Sequence, residues 1–323
     1  MFDVITIGAA THDVFLESEG FHLMPSPRRQ GTYECFPLGA KVSVEGIHFA
    51  TGGGATNAAA TFRHLGFRTA VITRVGDDTA GEIIRNDLRT RGISRRMVRT
   101  IRGGTSGYAT ILLTPHGDRT ALVYRGVSAH FSAADVPWGS LQAKCIFATS
   151  LAGNVGLLRR LCDTASARGI RFAFNPGMQE LQWGLARLHA HCGKAHVLFL
   201  NRAEAEFLAQ GERDMKKIRS IIASYFRHAV VVTDAARGAF YWDQSTFLHA
   251  SSKKVAVVNS TGAGDAFGSG FVSGILRWQD PLRALQLGTL NAAGTIQAMG
   301  AKKGLLTRWP SPRALSEVQV RRI

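Results

Sequence analysis

The sequence predicts an α/β protein in three layers: a mostly parallel central sheet, helices on both of its faces, and a small β-sheet lid. Three observations carry this expectation. Short apolar runs alternate with amphipathic helical segments along most of the 323 residues. Many of the 35 glycines sit in short clusters between those runs, where the chain must reverse. Two segments, 33–51 and 105–125, break the rhythm and read as antiparallel strands.

Taken in order, residues 4–8 form a buried strand and 57–65 a helix. Residues 69–74 form a strand leading into Val75-Gly76-Asp77-Asp78, and 80–91 an amphipathic helix that Gly92 ends. Further on, 145–149, 171–175, 196–200 and 229–233 read as short buried strands, with helices at 155–168, 203–209 and 215–226. Strands this apolar are covered on both faces and pair in parallel. The lid is assigned to insertions near 14–20, 33–51 and 105–125. The last of these holds a hairpin, 108–113 and 120–124, around a turn at Pro115-His116-Gly117-Asp118. Phe36, Tyr108 and Tyr124 either face a substrate from the lid or pack within it. The chain reads as one domain over 1–323, with a basic, peripheral tail after Ala301.

Composition narrows the function classes. Hydrophobic residues make up 45%, enough for a packed core, yet no run approaches the roughly 18 apolar residues of a membrane span. The N-terminus lacks the basic start and cleavage site of a signal peptide, so a cytoplasmic protein is expected. Cys35, Cys145, Cys162 and Cys192 include no CxxC pair and read as reduced packing thiols. The net charge of +16 is dispersed, with mild clusters at 85–102 and at Arg321-Arg322. No aromatic-interleaved basic motif accompanies it, which argues against nucleic acid as the main partner. His189, His191, Cys192 and His196 fit no common zinc spacing.

The most informative stretch is Asn259-Ser260-Thr261-Gly262-Ala263-Gly264-Asp265-Ala266-Phe267-Gly268, which opens a helix running to about residue 278. Gly262 and Gly264 leave backbone N–H groups uncovered at a helix start, where a phosphate or its developing charge is stabilised. Asp265 then stands in the first turn, where a carboxylate accepts the proton of an attacking hydroxyl. Taken alone, the stretch also suits an ordinary tight turn with a first-turn aspartate. There is no Walker A sequence, which excludes a P-loop mechanism. Asp13 follows the first strand, at the edge where ligands collect in parallel sheets. Asn201 follows another strand and either contacts a ligand or forms a capping box with Glu204, or does both.

Four spaced motifs in this order resemble the ribokinase, or PfkB, family of carbohydrate kinases. They are Thr51-Gly52-Gly53-Gly54-Ala55-Thr56-Asn57-Ala58-Ala59-Ala60 with Leu65-Gly66, Val75-Gly76-Asp77-Asp78 with Gly81, Asn201-Arg202-Ala203-Glu204, and Thr261-Gly262-Ala263-Gly264-Asp265-Ala266-Phe267. The resemblance implies a ribokinase-like fold and an ATP-dependent kinase that phosphorylates a hydroxyl of a small sugar, or alternatively of a purine nucleoside. It implies Asp265 as catalytic base with a Gly262, Ala263 and Gly264 anion hole. Asp13, Gly52, Gly53 and Asn57 would bind the acceptor. Asn201, Glu204, Thr233, Gly238 and Asn291 would serve the nucleotide, with Glu204 acting on Mg²⁺ through water. Two departures stand out. Asn259 replaces a frequent aspartate and weakens the case for K⁺ activation, and Ala235 replaces a frequent glycine beside Asp234, whose carboxylate is expected to point away from the phosphates. A fold that kept ligand binding but lost chemistry, or a basic nucleic-acid-associated protein, would be the rival classes. An exposed lid edge offers a route to a homodimer.

Overall fold

β1 (Phe2–Ile7) buries every residue after its first, and its side chains alternate between two cores. Ile5 and Ile7 enter one core with Ile72, Ile146, Phe172 and Phe174, while Val4 enters the other with Phe147, Ala173 and Phe199. A strand that feeds two cores must lie in the middle layer of three. The structure, a computed structural model, describes residues 1–25, 32–114 and 119–323.

The remaining strands are β2 (Thr11–Glu17), β3 (His22–Pro25), β4 (Thr32–Cys35), β5 (Gly46–Gly52), β6 (Thr69–Gly76), β7 (Val98–Ile101), β8 (Gly107–Leu113), β9 (Arg119–Tyr124), β10 (Ala143–Ala148), β11 (Arg171–Phe174), β12 (Val197–Asn201), β13 (Ala229–Thr233), β14 (Ala239–Trp242), β15 (Phe247–Ala250) and β16 (Val320–Arg322). The helices are α1 (Gly54–His64), α2 (Thr79–Thr90), α3 (Val155–Ala167), α4 (Met178–Leu181), α5 (Gly184–Cys192), α6 (Arg202–Leu208), α7 (Met215–Ala223), α8 (Ala263–Trp278), α9 (Pro281–Thr295) and α10 (Pro312–Ser316).

Among the described residues, ten strands form one sheet in the order β7-β6-β1-β10-β11-β12-β13-β14-β15-β16. The strands from β7 to β13 are parallel, and β14, β15 and β16 close the sheet antiparallel. Helices α3, α5 and α7 cover one face and α1, α8 and α9 the other. The expected fold class holds, and the strands and helices expected in its main layers fall within a few residues of their places; β7, α5 and α9 are additional to those expected. All four cysteines are free, and burial pushes the Cys145 thiol up to about 12, in keeping with packing residues.

Two expectations need correction. The tail after Ala301 is not peripheral: Ala301, Lys302, Leu305, Leu315 and Val318 are buried and β16 extends the sheet. The basic residues of that segment mask a sparse set of apolar anchors. The lid boundaries also shift. β2 begins at Thr11, so Asp13 lies inside a lid strand rather than in a loop. Of 33–51, only β5 joins the lid sheet, while β4 pairs with β3 in a separate two-stranded ribbon. Pro37 and the left-handed Gly39 (φ 77°) interrupt the alternation between them. The 105–125 hairpin is found as β8 and β9, pairing Tyr108 with Tyr124 and Leu113 with Arg119. Its expected turn at 115–118 lies outside the described residues.

The lid sheet, in the order β5-β2-β8-β9, joins the main sheet through Asp78. The Asp78 carboxylate caps α2 by accepting from Gly81 N–H at 2.8 Å, and grips the entry to β8 by accepting from Ser106 N–H at 2.8 Å and Ser106 Oγ at 2.6 Å. Partial burial opposes its charge, but these donors hold its pKa below the usual carboxylate range. Asp78→Ala should therefore destabilise the fold by about 1–2 kcal/mol at neutral pH in urea unfolding, the scale of a lost cap with its lost hydrogen bonds. Because the folded-state pKa is depressed, the difference should shrink as pH falls through and below the carboxylate range.

Candidate active site

At the carboxyl edge of the parallel strands, the starts of α1 and α8 meet. α8 has no side-chain cap, and its N-cap Gly262 is left-handed (φ 78°). Only glycine fits there, since a Cβ would also come within 2.4 Å of the Ala301 Cβ. First-turn amides of a helix have no intrahelical partner, so those of Gly264 and Asp265 are available to an anion. At Gly264 a Cβ would meet nothing within 4 Å, because that position faces open groove.

Asn57, in the first turns of α1, donates from Nδ2 to Asp265 Oδ2 at 2.9 Å. Asp265 Oδ1 takes no part in this hydrogen bond. The Asn57 Oδ1 is buried and has no hydrogen-bond partner among the described residues. An orphaned buried acceptor of this kind calls for a donor from a ligand. Burial raises the Asp265 pKa, opposed by the Asn57 hydrogen bond and by Lys302, and reinforced by the charge of Asp13. Asp13 is 4% exposed and accepts from Thr11 Oγ1 at 2.6 Å. Burial raises its pKa as well, opposed by the Thr11 hydrogen bond and then by Lys302 and His12. Gly52 makes room for this carboxylate, because a Cβ there would lie 1.9 Å from Asp13 Oδ2. The structure thus brings Asp13, Gly52, Asn57 and Asp265 together, with Gly53 at the turn into α1.

A groove of about 880 Å³ opens at the start of α8, beside this cluster but not lined by it. Asn201, Thr233, Gly238, Ala263 and Gly264 line it, together with Lys253 and Lys254. Asn201 and Glu204 form a reciprocal capping box: Asn201 Oδ1 accepts from Glu204 N–H at 2.9 Å, and Glu204 Oε2 from Asn201 N–H at 2.8 Å. Burial raises the Glu204 pKa against the bonds from Asn201. With Oε2 engaged, Oε1 is the hard oxygen donor left over, which fits a water-mediated contact to magnesium. Among the described residues no three His, Cys, Asp or Glu side chains cluster to hold a metal. The Asp234 carboxylate is ion-paired to Arg202 at 3.2 Å and Arg237 at 2.8 Å, so its charge is neutralised beside the groove. Ala235 takes the left-handed conformation (φ 45°) in which a glycine is unstrained. Asn259 Oδ1 accepts from Thr261 N–H at 2.6 Å and so shapes the turn before Gly262.

Asn291 requires a correction. It is fully buried, donates to Thr61 Oγ1 at 3.0 Å and Ala266 O at 2.7 Å, and accepts from Leu306 N–H at 2.9 Å. It ties α9 to α1 and α8 and does not line the groove. Two site residues escaped the sequence reading. Arg119, at the start of β9, reaches Ser260 Oγ from the lid and lines the groove; burial lowers its pKa. Lys302 is buried beside Thr51 and Asp87. Arg119 follows the hairpin turn and Lys302 stands in a segment dense with other basic residues, and local pattern singles out neither.

Comparison with known proteins places these features in context. The family described as pfkB family carbohydrate kinase matches residues 1–308. An uncharacterized sugar kinase of Archaeoglobus fulgidus is 29% identical over 248 residues, covering 75% of this chain and 96% of its own. The ribokinase of Haemophilus influenzae is 24% identical over 281 residues, covering 84% of this chain and 89% of its own. The fold is shared with a nucleoside kinase of Burkholderia thailandensis solved with inosine, at TM-score 0.76 and 19% identity over 97% of this chain and 96% of that one. A match over nearly the whole length, on a fold whose glycine turn, buried carboxylate and lid occupy one edge of one sheet, leads to a single conclusion: the chain belongs to the pfkB family of carbohydrate kinases.

Proposed function

We propose that the protein transfers the γ-phosphoryl group of ATP to a hydroxyl of a small sugar, with Asp265 as general base. The observation that carries this is the Asn57–Asp265 pair at the uncapped start of α8, a proton acceptor beside free backbone amides. Asp13 and the orphaned Asn57 Oδ1 orient the sugar hydroxyls. Asp265 Oδ1 takes the proton as the hydroxyl oxygen attacks phosphorus, and burial tunes this carboxylate upward, towards the range where a base works well near neutral pH. The amides of Gly262 and Gly264, joined by that of Asp265, stabilise charge on the moving phosphoryl group, while the expected third donor, Ala263 N–H, is engaged by Ser260 O at 3.3 Å; Arg119 adds a lid-borne cation at the same end of the groove. Glu204 and Asn201 would hold magnesium through water; when bound, the ion supplies charge neutralisation on the phosphates. Thr233 and Gly238 line the nucleotide's path.

The lid's inner face favours a sugar over a nucleoside. Register places Ala50, Ala109 and Val123 beside Asp13, with no aromatic clamp in that row. The opposite lid face exposes Ile47, Phe49, Leu122 and Tyr124, which suits pairing of two lids in a homodimer. Light scattering should then give twice the chain mass, and Phe49→Lys should return it to the monomer.

An ADP-release assay over pentoses, hexoses, phosphosugars and nucleosides tests the assignment. Turnover should be highest with a free sugar; highest turnover with inosine or adenosine would reassign the acceptor, and no turnover with any acceptor would remove the kinase activity altogether. Asp265→Asn should lower kcat by roughly 10²-fold or more while ATP still binds. Asp13→Ala should raise the acceptor KM far more than the ATP KM, and a defect selective for ATP would overturn the division of roles.

A further inference from the structure

The turn at residues 299–303 touches three parts of the site. Ala301 packs directly against Gly262 of the anion hole. Gly300 lies against Ala50 of β5, the register partner of Asp13; a Cβ on Gly300 would stand 3.2 Å from Ala50 Cβ. Lys302 is 6% exposed and donates from Nζ to Thr51 Oγ1 at 2.7 Å and to Asp87 Oδ2 at 2.9 Å. Thr51 Oγ1 in turn donates to the same Asp87 oxygen at 2.7 Å, while Asp87 Oδ1 accepts from Arg91 Nε at 2.8 Å. One aspartate therefore faces two cations, and a positive charge is left over on the side of Asp13 and Asp265. The other charged or titratable groups around this cluster are His12 next to Asp13, Lys303 on the exposed side of the turn, and His64, whose ring lies 3.4 Å from Arg91.

We propose that Lys302 is a positioning residue for phosphoryl transfer. Anchored by Thr51 and Asp87, its buried ammonium is the standing counter-charge that keeps the Asp13 and Asp265 carboxylates ionised in the cleft. Its seat on the turn beneath Gly262 holds that charge fixed relative to the anion hole. The electrostatics agree with the geometry: burial drives both carboxylates towards protonation, and Lys302 opposes this at each. Burial also pulls the Lys302 pKa down, and the Asp87 carboxylate works against that pull. The role rests on Asp265 being the base.

The test is the pH dependence of kcat/KM by ADP release, in wild type, Lys302→Met and Asp87→Asn. The acid limb reports the Asp13–Asp265 pair as a unit. Lys302→Met removes the counter-charge, raises the pair's apparent pKa, and should move the acid limb up by roughly one pH unit, with activity recovering towards alkaline pH. Asp87→Asn breaks the same anchor but frees the ammonium's charge for the cleft, so it should move the limb down. A purely packing role would instead lower activity evenly across pH in both variants, alongside a lower Tm. An unmoved limb in Lys302→Met, or one that Asp87→Asn leaves in place or moves up, overturns the proposal. If Lys302→Met does not fold, Asp87→Asn decides alone by the direction of its shift. Asp265→Asn separates the two levels: near-normal turnover there removes the base itself, whereas a loss there with an unmoved limb in Lys302→Met removes only the role of Lys302.

Discussion

The hydrogen bond from Asn57 to Asp265 joins residues 208 positions apart and is the contact on which the site turns. It forces the first turns of α1 and α8 to the same point at the edge of the sheet. Each helix begins at a glycine with positive φ and no side-chain cap, Gly53 for α1 and Gly262 for α8. The start of α1 is served from within, Ala55 N–H donating to Ala9 O at 3.3 Å and Thr56 N–H to Gly53 O at 3.0 Å, but at the start of α8 the amides of Gly264 and Asp265 are left to a partner from the cleft. A ligand rich in oxygen would supply what the protein withholds there. The buried, unpaired Asn57 Oδ1 points the same way, asking for a donor where the amides ask for an acceptor.

Charge in the cleft is set by the same packing. Asp13 is buried, Asp265 is half-buried, and the two repel one another, a combination that favours neutral carboxylic acids. The proposed general-base role of Asp265 would need the opposite, a carboxylate that is ionised before the hydroxyl arrives. In the proposal made above, the counter-charge is a lysine whose buried ammonium is anchored by Asp87 and Thr51. The arrangement costs desolvation on every member, and is rigid for that reason, because separating any partner leaves a charge buried alone.

How much of this was legible in the sequence differs by feature. Buried parallel strands announce themselves as short apolar runs, so β1, β6 and β10 to β13 were readable, whereas the partly exposed edge strand β7 was not. The antiparallel closure by β14, β15 and β16 was not, because a three-residue strand such as β16, with two arginines, has no apolar pattern to show. Among site residues, those fixed by backbone geometry were the readable ones: glycines at a helix start and the aspartate in its first turn. Asn201 and Glu204 were readable as a pair because capping has a three-residue spacing, and the structure shows both members engaged in that cap. Asn291 misled because a buried asparagine that binds backbone across helices looks, in sequence, like one that binds a ligand. Lys302 and Arg119 were illegible for a different reason. Their placement depends on long-range packing, on the 299–303 turn against Gly262 and on the lid against Ser260, and local pattern carries no trace of either.

The lid shows how specificity and catalysis share one piece of structure. β2 carries Asp13 inward and His12 outward on consecutive residues, as strand alternation requires. Inward, the row beside Asp13 is small and aliphatic, the face that the proposed acceptor would meet. Outward, His12 stacks on Phe49 at 5.9 Å and meets Tyr108 edge-on at 5.4 Å, so the aromatic surface is turned away from the acceptor. A one-residue slip in the register of β2 would exchange the two faces and place a ring where the carboxylate now stands. The Asp78–Ser106 clasp at the root of β8, and the pairing of β2 with β8 along its full length, hold that register. The motif residues that look least chemical are in this way the ones that decide which side chains share a face with Asp13.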